Sequence, residues 1–259
     1  MNEKLKVISL APTQTEIIAA LGWVDNLAGV SENCDFPESV RGIARYGSWY
    51  SPDLRRVVQA EPDLVCTFGK HQEDMAEALR EEGLHVFHSD PPSVADSLET
   101  MEKLSAILGC PEAGGRLVAG LKARLANVAR KIEEIDPVNR PTVFRIMNWE
   151  PLISAGPGSF QHDVIERAGG INLLADGRLP YMVCEPAEIR RRNPRVIFTC
   201  EGFITGALRS DPLWMQVDAV KHQRLYVFDC GLTCRSGPRI VDMVEALTEA
   251  LHFGASSPV

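Results

Sequence analysis

Cysteine and histidine are the side chains of this sequence that could carry metal or thiol chemistry. The chain has 7 cysteines and 6 histidines, yet it contains no HExxH motif and no CxxC pair. Cys230 and Cys234 could act as paired ligands, but no second pair follows to complete a zinc site. His71, in TFGKHQED after a predicted strand, is the histidine best placed to face a cleft and ligate a metal. An α/β enzyme that uses His71 with one of these thiols stays open, although the sequence offers no complete set of acid, base and nucleophile.

Aromatic side chains offer a second kind of chemistry, the stacking of rings against a large organic ligand. Several fall at predicted strand ends or in loops, namely Trp49, Tyr50, Phe68, Trp149 and Tyr181. A cleft lined by rings with few charged groups suits a bulky or flat ligand that is bound through contact area and stacking. Phe68 and Trp149 could equally be core residues.

Charge and glycine motifs exclude two other classes of ligand. A net charge of -8 argues against nucleic-acid binding, because neutralising phosphates requires a basic face. Neither GxGxxG nor GxxxxGK[ST] occurs where a nucleotide would need it. The glycine-rich SAGPGSF at 154–160 is interpreted as a tight turn capped by Ser159.

The cysteines and the N-terminal region indicate the cellular compartment in which the protein works. The cysteines are odd in number, and Cys66 and Cys200 lie in apolar runs, so we read them as reduced core thiols of a cytosolic protein. The first apolar run is too short for a signal peptide, and no stretch is apolar over the ~18 residues that a membrane span needs. We therefore expect a cytoplasmic protein without membrane insertion, or a periplasmic or cell-surface one if an export signal has been removed.

The elements that must position these side chains alternate between strand and helix. KVISL precedes TEIIAALG, and DLVCTF precedes QEDMAEALREEG, which predicts βα units around a mainly parallel sheet. From residue 113 to 135 apolar residues recur every three or four positions, which predicts one long helix ended by Asp136 and Pro137. The alternation then restarts. We predict an α/β fold with an N-terminal lobe at 1–110, a bridging helix at 111–137 and a C-terminal lobe at 138–259.

The two lobes carry an internal repeat. SPDLRRVVQAEPDLVCTFG and CEPAEIRRRNPRVIFTCEG align on Pro62 and Pro194, each of which precedes an apolar strand. Trp49 and Tyr181 stand at the same distance before these two prolines, which predicts a facing pair of rings. In the opening VISLAPTQTEIIAALG, Thr13 and Glu16 fit a capping box at the start of the first helix.

Taken in order, several segments resemble the periplasmic solute-binding proteins of vitamin B12 and iron-complex ABC importers. They are VISLAPTQTEIIAALG, CDFPESV, YGSWYSPDL, EPDLVCTFG, ERAGGINLLAD, NPRVIF and CRSGPRIV. The resemblance implies two Rossmann-like lobes with mainly parallel sheets, joined by a single long α-helix. It also implies a monomeric, non-catalytic protein that clamps a corrinoid such as cobalamin between its lobes.

The resemblance also implies roles for single residues. Thr13, Trp49, Phe68, Tyr181 and Arg235 match positions that line the ligand, with Arg235 donating to its amide or phosphate groups. Asn33 and Leu152 stand where an aromatic can occur, and this leaves haem or an iron siderophore as the alternative ligand.

An importer permease is the macromolecular partner that the resemblance implies. Members that dock on a permease carry a glutamate on each lobe, and here those positions hold Arg55 and Ala187, with Glu188 adjacent. Replacing a carboxylate with a guanidinium turns attraction to permease arginines into repulsion. The sequence therefore predicts a binding fold that works without, or away from, a transporter.

Overall fold

The computed structural model describes residues 5–254, and the chain divides into two compact units. The first unit comprises the chain up to Pro91, together with Ala95–Gly120 and Ser236–Pro238. The second comprises Pro92–Val94, Leu121–Arg235 and the chain from Arg239 onward. The domain limits at residues 110 and 137 stay a prediction, and the outermost ends of the two predicted lobes lie outside the described residues.

Four strands form the sheet of the first unit: β1 (Val7–Ser9), β2 (Leu27–Val30), β3 (Leu64–Phe68) and β4 (Val86–Ser89). Neighbouring strands are parallel and lie in the order β2-β1-β3-β4. Every residue of β3 is buried, as expected for an apolar run in a parallel sheet whose faces are both covered.

The helices that alternate with these strands are α1 (Pro12–Ala20), α2 (Leu54–Gln59), α3 (Glu73–Glu81) and α4 (Val94–Ile107), with 3-10 turns at Val24–Asn26, Glu38–Val40 and Lys70–Gln72. The core between β1, β3 and these helices includes Ile8, Val65, Val57 and Leu79. Asp53 caps α2 by accepting a hydrogen bond from the Arg56 backbone N–H at 3.1 Å.

Helix α1 does not begin as its sequence predicts. Pro12 occupies the first helical turn and Ala11 is the N-cap, without any side-chain capping bond. Proline suits this position because its fixed φ is already helical and its missing N–H is not needed there. Thr13 is therefore inside the helix, and the predicted capping box of Thr13 and Glu16 is wrong.

A helix of 23 residues, α5 (Pro111–Glu133), contributes to both units, which divide after Gly120. It confirms the long helix predicted from 113 to 135, although it begins and ends slightly earlier. Asp136 instead caps a 3-10 turn at Pro137–Asn139 by accepting from the Val138 backbone N–H at 3.0 Å. In the second unit, Arg124 of this helix donates to Glu245 at 3.0 Å.

Six strands belong to the second unit: β5 (Thr142–Ile146), β6 (Ile153–Ala155), β7 (Ile171–Asn172), β8 (Tyr181–Val183), β9 (Val196–Thr199) and β10 (Leu225–Val227). Four of them form a parallel sheet in the order β10-β9-β5-β7, while β6 and β8 form a separate antiparallel pair. The core includes Phe144, Ile146, Ile197 and Trp214. The two mainly parallel sheets confirm the predicted α/β class.

The helices of the second unit are α6 (Phe160–Arg167), α7 (Pro186–Arg192), α8 (Gly202–Ser210), α9 (Asp218–Lys221), α10 (Cys230–Thr233) and α11 (Ile240–His252), with a 3-10 turn at Trp214–Gln216. Ser159 caps α6 by accepting from the His162 backbone N–H, which confirms the turn predicted for the glycine-rich segment. Among the described helices, none is both long and apolar enough to cross a membrane.

The internal repeat is present in the structure. Helix α2 begins at residue 54 and β3 at 64, while α7 begins at 186 and β9 at 196, so each helix precedes its strand by the same distance. Val57 and Ile189, which the alignment pairs, are both buried on these helices. The two aromatic residues that precede these helices differ in secondary structure, because Trp49 lies in a loop and Tyr181 lies on strand β8.

Candidate functional site

The first candidate surface is a ring cluster formed by Trp49, Tyr50 and His71 in the first unit. The ring centroids of Trp49 and Tyr50 are 4.6 Å apart, and His71 meets both rings edge-on at 5.5 and 5.8 Å. Tyr50 is 71% exposed, His71 is exposed and Trp49 is half-buried. This cluster offers open aromatic surface next to an imidazole.

One buried side chain holds the loop of this cluster in place. Gln72 is fully buried, and its Nε2 donates to the carbonyl oxygens of Trp49 at 2.8 Å and Leu10 at 2.9 Å. Its Oε1 accepts from the Phe68 backbone N–H at 3.0 Å. Gln72 thus ties the Trp49 loop to the carboxyl ends of β1 and β3. Its burial could not be predicted from the sequence, because a glutamine in a polar loop segment gives no signal of burial.

Two further contacts fix Trp49 itself. Asn33 Oδ1 accepts from the Trp49 backbone N–H at 2.7 Å, and the Trp49 ring Nε1 donates to the Phe68 carbonyl at 3.3 Å. Gly47 turns the loop with a φ of +83°, and a Cβ there would come within 2.6 Å of the Ser51 carbonyl oxygen. Asn33 stands where the family resemblance implies that an aromatic can occur. Here its side chain holds the backbone of Trp49 instead.

Two other predicted ligand residues of the first unit are buried. Phe68 is 8% exposed, so its side chain belongs to the core while its carbonyl supports Trp49. Thr13 is 3% exposed in the first part of α1, and its carbonyl lies 3.4 Å from where a Cβ on Gly237 would stand. Gly237, which belongs to the same unit, thus lies next to the start of α1.

The predicted rings of the second unit have different environments. Tyr181 is 44% exposed on β8, and its hydroxyl donates to Gln161 Oε1 at 3.3 Å. Trp149 is half-buried and packs against the core beside Trp214, with ring centroids 6.0 Å apart. Leu152 is 4% exposed and belongs to the same core. Arg235 is half-buried and directly follows Cys234.

A cluster of cysteines, defined by Cys200, Cys230 and Cys234, lies in the second unit, and its sulfur atoms are all within 4.8 Å of one another. Cys200 directly follows β9 and is half-buried, so the prediction that it is a core thiol is wrong. Strand β9 ends at Thr199, one residue too early to bury it. Among the described residues this is the one group of three or more potential metal-binding side chains, and His71 is not part of it.

Arg145, which sequence reasoning also missed, lies beneath the cysteine cluster. It is 1% exposed, its Nη2 donates to Cys234 Sγ at 3.3 Å, and its guanidinium lies 5.9 Å from the Phe198 ring centroid. Hydrogen bonds from the Cys200 and Cys230 thiols, together with the charge of Arg145, hold the pKa of Cys234 far below its ordinary value against the effect of burial.

The two positions where docking carboxylates are expected are both on the surface. Arg55 is exposed on α2 and Ala187 is exposed on α7. Glu188 is engaged within its own helix, because Arg191 donates to it at 2.7 Å and lowers the pKa of its carboxyl group.

Comparison with known proteins places this geometry in a family. Residues 7–230 match the family described as periplasmic binding protein. The chain belongs to this family. The chain is 28% identical over 256 residues to an uncharacterised ABC transporter substrate-binding lipoprotein of Bacillus subtilis, a match that covers 97% of the chain and 81% of the relative. It is 26% identical over 250 residues to the vitamin B12-binding protein of Vibrio cholerae, which covers 96% and 89% of the two chains.

Solved structures agree with this assignment. The crystal structure of the periplasmic vitamin B12-binding protein of Vibrio cholerae superposes with a TM-score of 0.84 at 26% identity, covering 96% of each chain. A periplasmic heme-binding protein from Roseiflexus has a TM-score of 0.85 at 24% identity, covering 98% and 100% of the two chains. The heme-binding structure thus shares the fold of this chain.

Proposed function

We propose that the chain is a non-catalytic binding protein of the ABC-importer type whose ligand is a corrinoid such as cobalamin. The observation that carries this proposal is the similarity to a vitamin B12-binding protein, which extends over 96% of the chain in sequence and in structure. The exposed rings of Tyr50 and Tyr181 and the half-buried ring of Trp49 support it, since a planar macrocycle is bound by aromatic stacking.

The residues divide into direct contacts and supports. Trp49, Tyr50 and Tyr181 stack on the ligand, and Arg235 donates to its amide or phosphate groups. The other members of the predicted site are buried or half-buried, namely Thr13, Phe68 and Trp149, and the carbonyl of Phe68 accepts a hydrogen bond from the Trp49 ring. The protein acts as a monomer, which light scattering of the purified chain tests.

Haem or an iron siderophore is the second candidate ligand. The observation in its favour is the pair of exposed side chains Tyr50 and His71, whose rings are 5.8 Å apart, because phenolate and imidazole groups both ligate iron. A haem bound there would shift its absorption spectrum, and the shift would disappear in the His71→Ala or Tyr50→Phe variant.

The proposed relation to a permease follows from charge. Arg55 opposes docking on a basic permease surface, Ala187 contributes no carboxylate, and Glu188 is paired within its helix. We therefore expect weak association with a vitamin B12 permease, strengthened in the Arg55→Glu, Ala187→Glu double variant. Fractionation of native cells distinguishes cytoplasmic from exported placement.

Calorimetric titration with cyanocobalamin, hydroxocobalamin and haemin tests the proposal directly. The expected result is one corrinoid per chain with a shift of its visible spectrum. Tight binding of haemin with no corrinoid response would support the second candidate. If neither the corrinoids nor haemin gave a heat of binding or a spectral shift, both candidate ligands would be overturned.

A further inference from the structure

The cysteine cluster has the dimensions of a metal site. Three thiolates around one zinc-like ion, each with a metal–sulfur distance of about 2.3 Å, hold their sulfur atoms about 3.8 to 4.0 Å apart. The sulfur atoms of Cys200 and Cys234 are already 3.9 Å apart, and all three lie within 4.8 Å of one another. Only small side-chain rotations would bring Cys230 to the same spacing.

Local structure fixes this arrangement. Cys230 begins α10 and Cys234 is its C-cap one turn later, where the Cys234 backbone N–H donates to the Cys230 carbonyl at 2.9 Å. Asp229 caps this turn by accepting from the Gly231 backbone N–H at 2.7 Å. Cys200 comes from the carboxyl end of β9, the edge of a parallel sheet where ligands bind. Because Cys230 and Cys234 are exposed, an ion can reach the cluster from solvent.

Arg145 supplies a second, independent observation. Its side chain is 1% exposed, and it forms no ion pair with a carboxylate of the described residues. Its Nε has no hydrogen-bond partner. A buried guanidinium requires compensating negative charge nearby, and the sulfur of Cys234 is the group to which it donates.

Charge decides the class of ion. Three thiolates with one guanidinium leave two negative charges, which a divalent ion neutralises and a monovalent ion does not. We propose that Cys200, Cys230 and Cys234 bind one thiophilic divalent cation of the zinc class, with a fourth position open to water or to an exogenous donor. Arg145 is a positioning residue that orients the sulfur of Cys234. Cys234 directly precedes Arg235, which belongs to the proposed corrinoid site, but the metal proposal does not rest on corrinoid binding and its test contains no corrinoid.

The test uses the full chain, reduced and freed of metal by a chelator. Titration with Cd²⁺ should produce a sulfur-to-metal charge-transfer band that saturates at one ion per chain. After Zn²⁺ is added to the metal-free protein instead, native mass spectrometry should find one Zn²⁺ per chain. Cys200→Ser should weaken Cd²⁺ binding about 100-fold or more, because it removes a direct ligand. Even the loss of a residue that only holds a ligand in place lowers metal affinity about 10- to 100-fold. Cys110→Ser, which changes a half-buried thiol of the first unit, should leave binding unchanged.

Alkylation of the unaltered protein provides a measurement that does not depend on how the variants fold. Zn²⁺ should protect Cys200, Cys230 and Cys234 together from iodoacetamide while Cys110 stays reactive, as read by peptide mass mapping. Absence of a stoichiometric ion, or an ion that Cys200→Ser retains with unaltered affinity, would overturn the proposal. Protection of a different set of cysteines would overturn it as well.

Discussion

Replacing Gln72 with leucine should release the loop that carries Trp49. The side chain is fully buried and makes three hydrogen bonds to backbone groups, at 2.8, 2.9 and 3.0 Å. Leucine fills a similar volume but leaves one N–H and two carbonyl groups buried without this partner. Each such group costs about 1 to 3 kcal/mol, and the apolar burial of leucine offsets part of the sum. We expect the free energy of unfolding of Gln72→Leu to fall by about 2 to 4 kcal/mol.

Two measurements examine this prediction. Urea unfolding gives the loss of stability, and hydrogen exchange of peptides over residues 47–53 gives the opening of the loop, which should accelerate about 10-fold or more. The same substitution at Gln59, an exposed residue of α2, serves as the control and should change stability by less than about 0.5 kcal/mol. A loss below about 1 kcal/mol, with exchange in the loop unaltered, would refute the assigned role of Gln72.

Three other changes test neighbouring conclusions. Gly47→Ala should destabilise the protein by about 1 to 3 kcal/mol, because its φ is +83° and a Cβ meets backbone, whereas Gly42→Ala, in open space, should be nearly neutral in urea unfolding. Trp49→Ala should weaken cobalamin binding by about 1 to 3 kcal/mol in calorimetry, while Trp23→Ala, which removes another half-buried indole of the first unit, should not. Burial lowers the pKa of His252 below its ordinary 6.5, so its contribution to stability is present above that value and is lost as the pH falls toward the folded pKa. Urea unfolding between about pH 7.5 and pH 5.5 should therefore show a smaller acid loss for His252→Asn, and equal losses in the two proteins would contradict this assignment.

Periodicity and apolar runs predicted the elements well because burial acts directly on them. The long helix follows from apolar residues at helical spacing, and the two parallel sheets follow from short apolar strands that alternate with helices. The repeat was visible because α2 with β3 and α7 with β9 keep the same spacing in the sequence.

Predictions failed where a single position or a distant partner decides the outcome. The capping box at Thr13 failed because Pro12 takes the first helical turn. Cys200 was read as core because the apolar run continues to it, although β9 ends at Thr199. Gln72 and Arg145 gave no local signal, since the two carbonyl partners of Gln72 and the Cys234 partner of Arg145 lie far away in the chain and only folding brings them together.

The way Trp49 is held has a consequence for how such a protein could change its specificity. Gln72 and Asn33 bind the main-chain carbonyl and N–H of residue 49, groups that every amino acid except proline carries. These two contacts therefore do not depend on the indole, whose Nε1 adds one further hydrogen bond, to the Phe68 carbonyl. Another side chain at residue 49 would keep both main-chain hydrogen bonds, so under the proposed function a substitution there would change ligand choice without changing the path of the main chain.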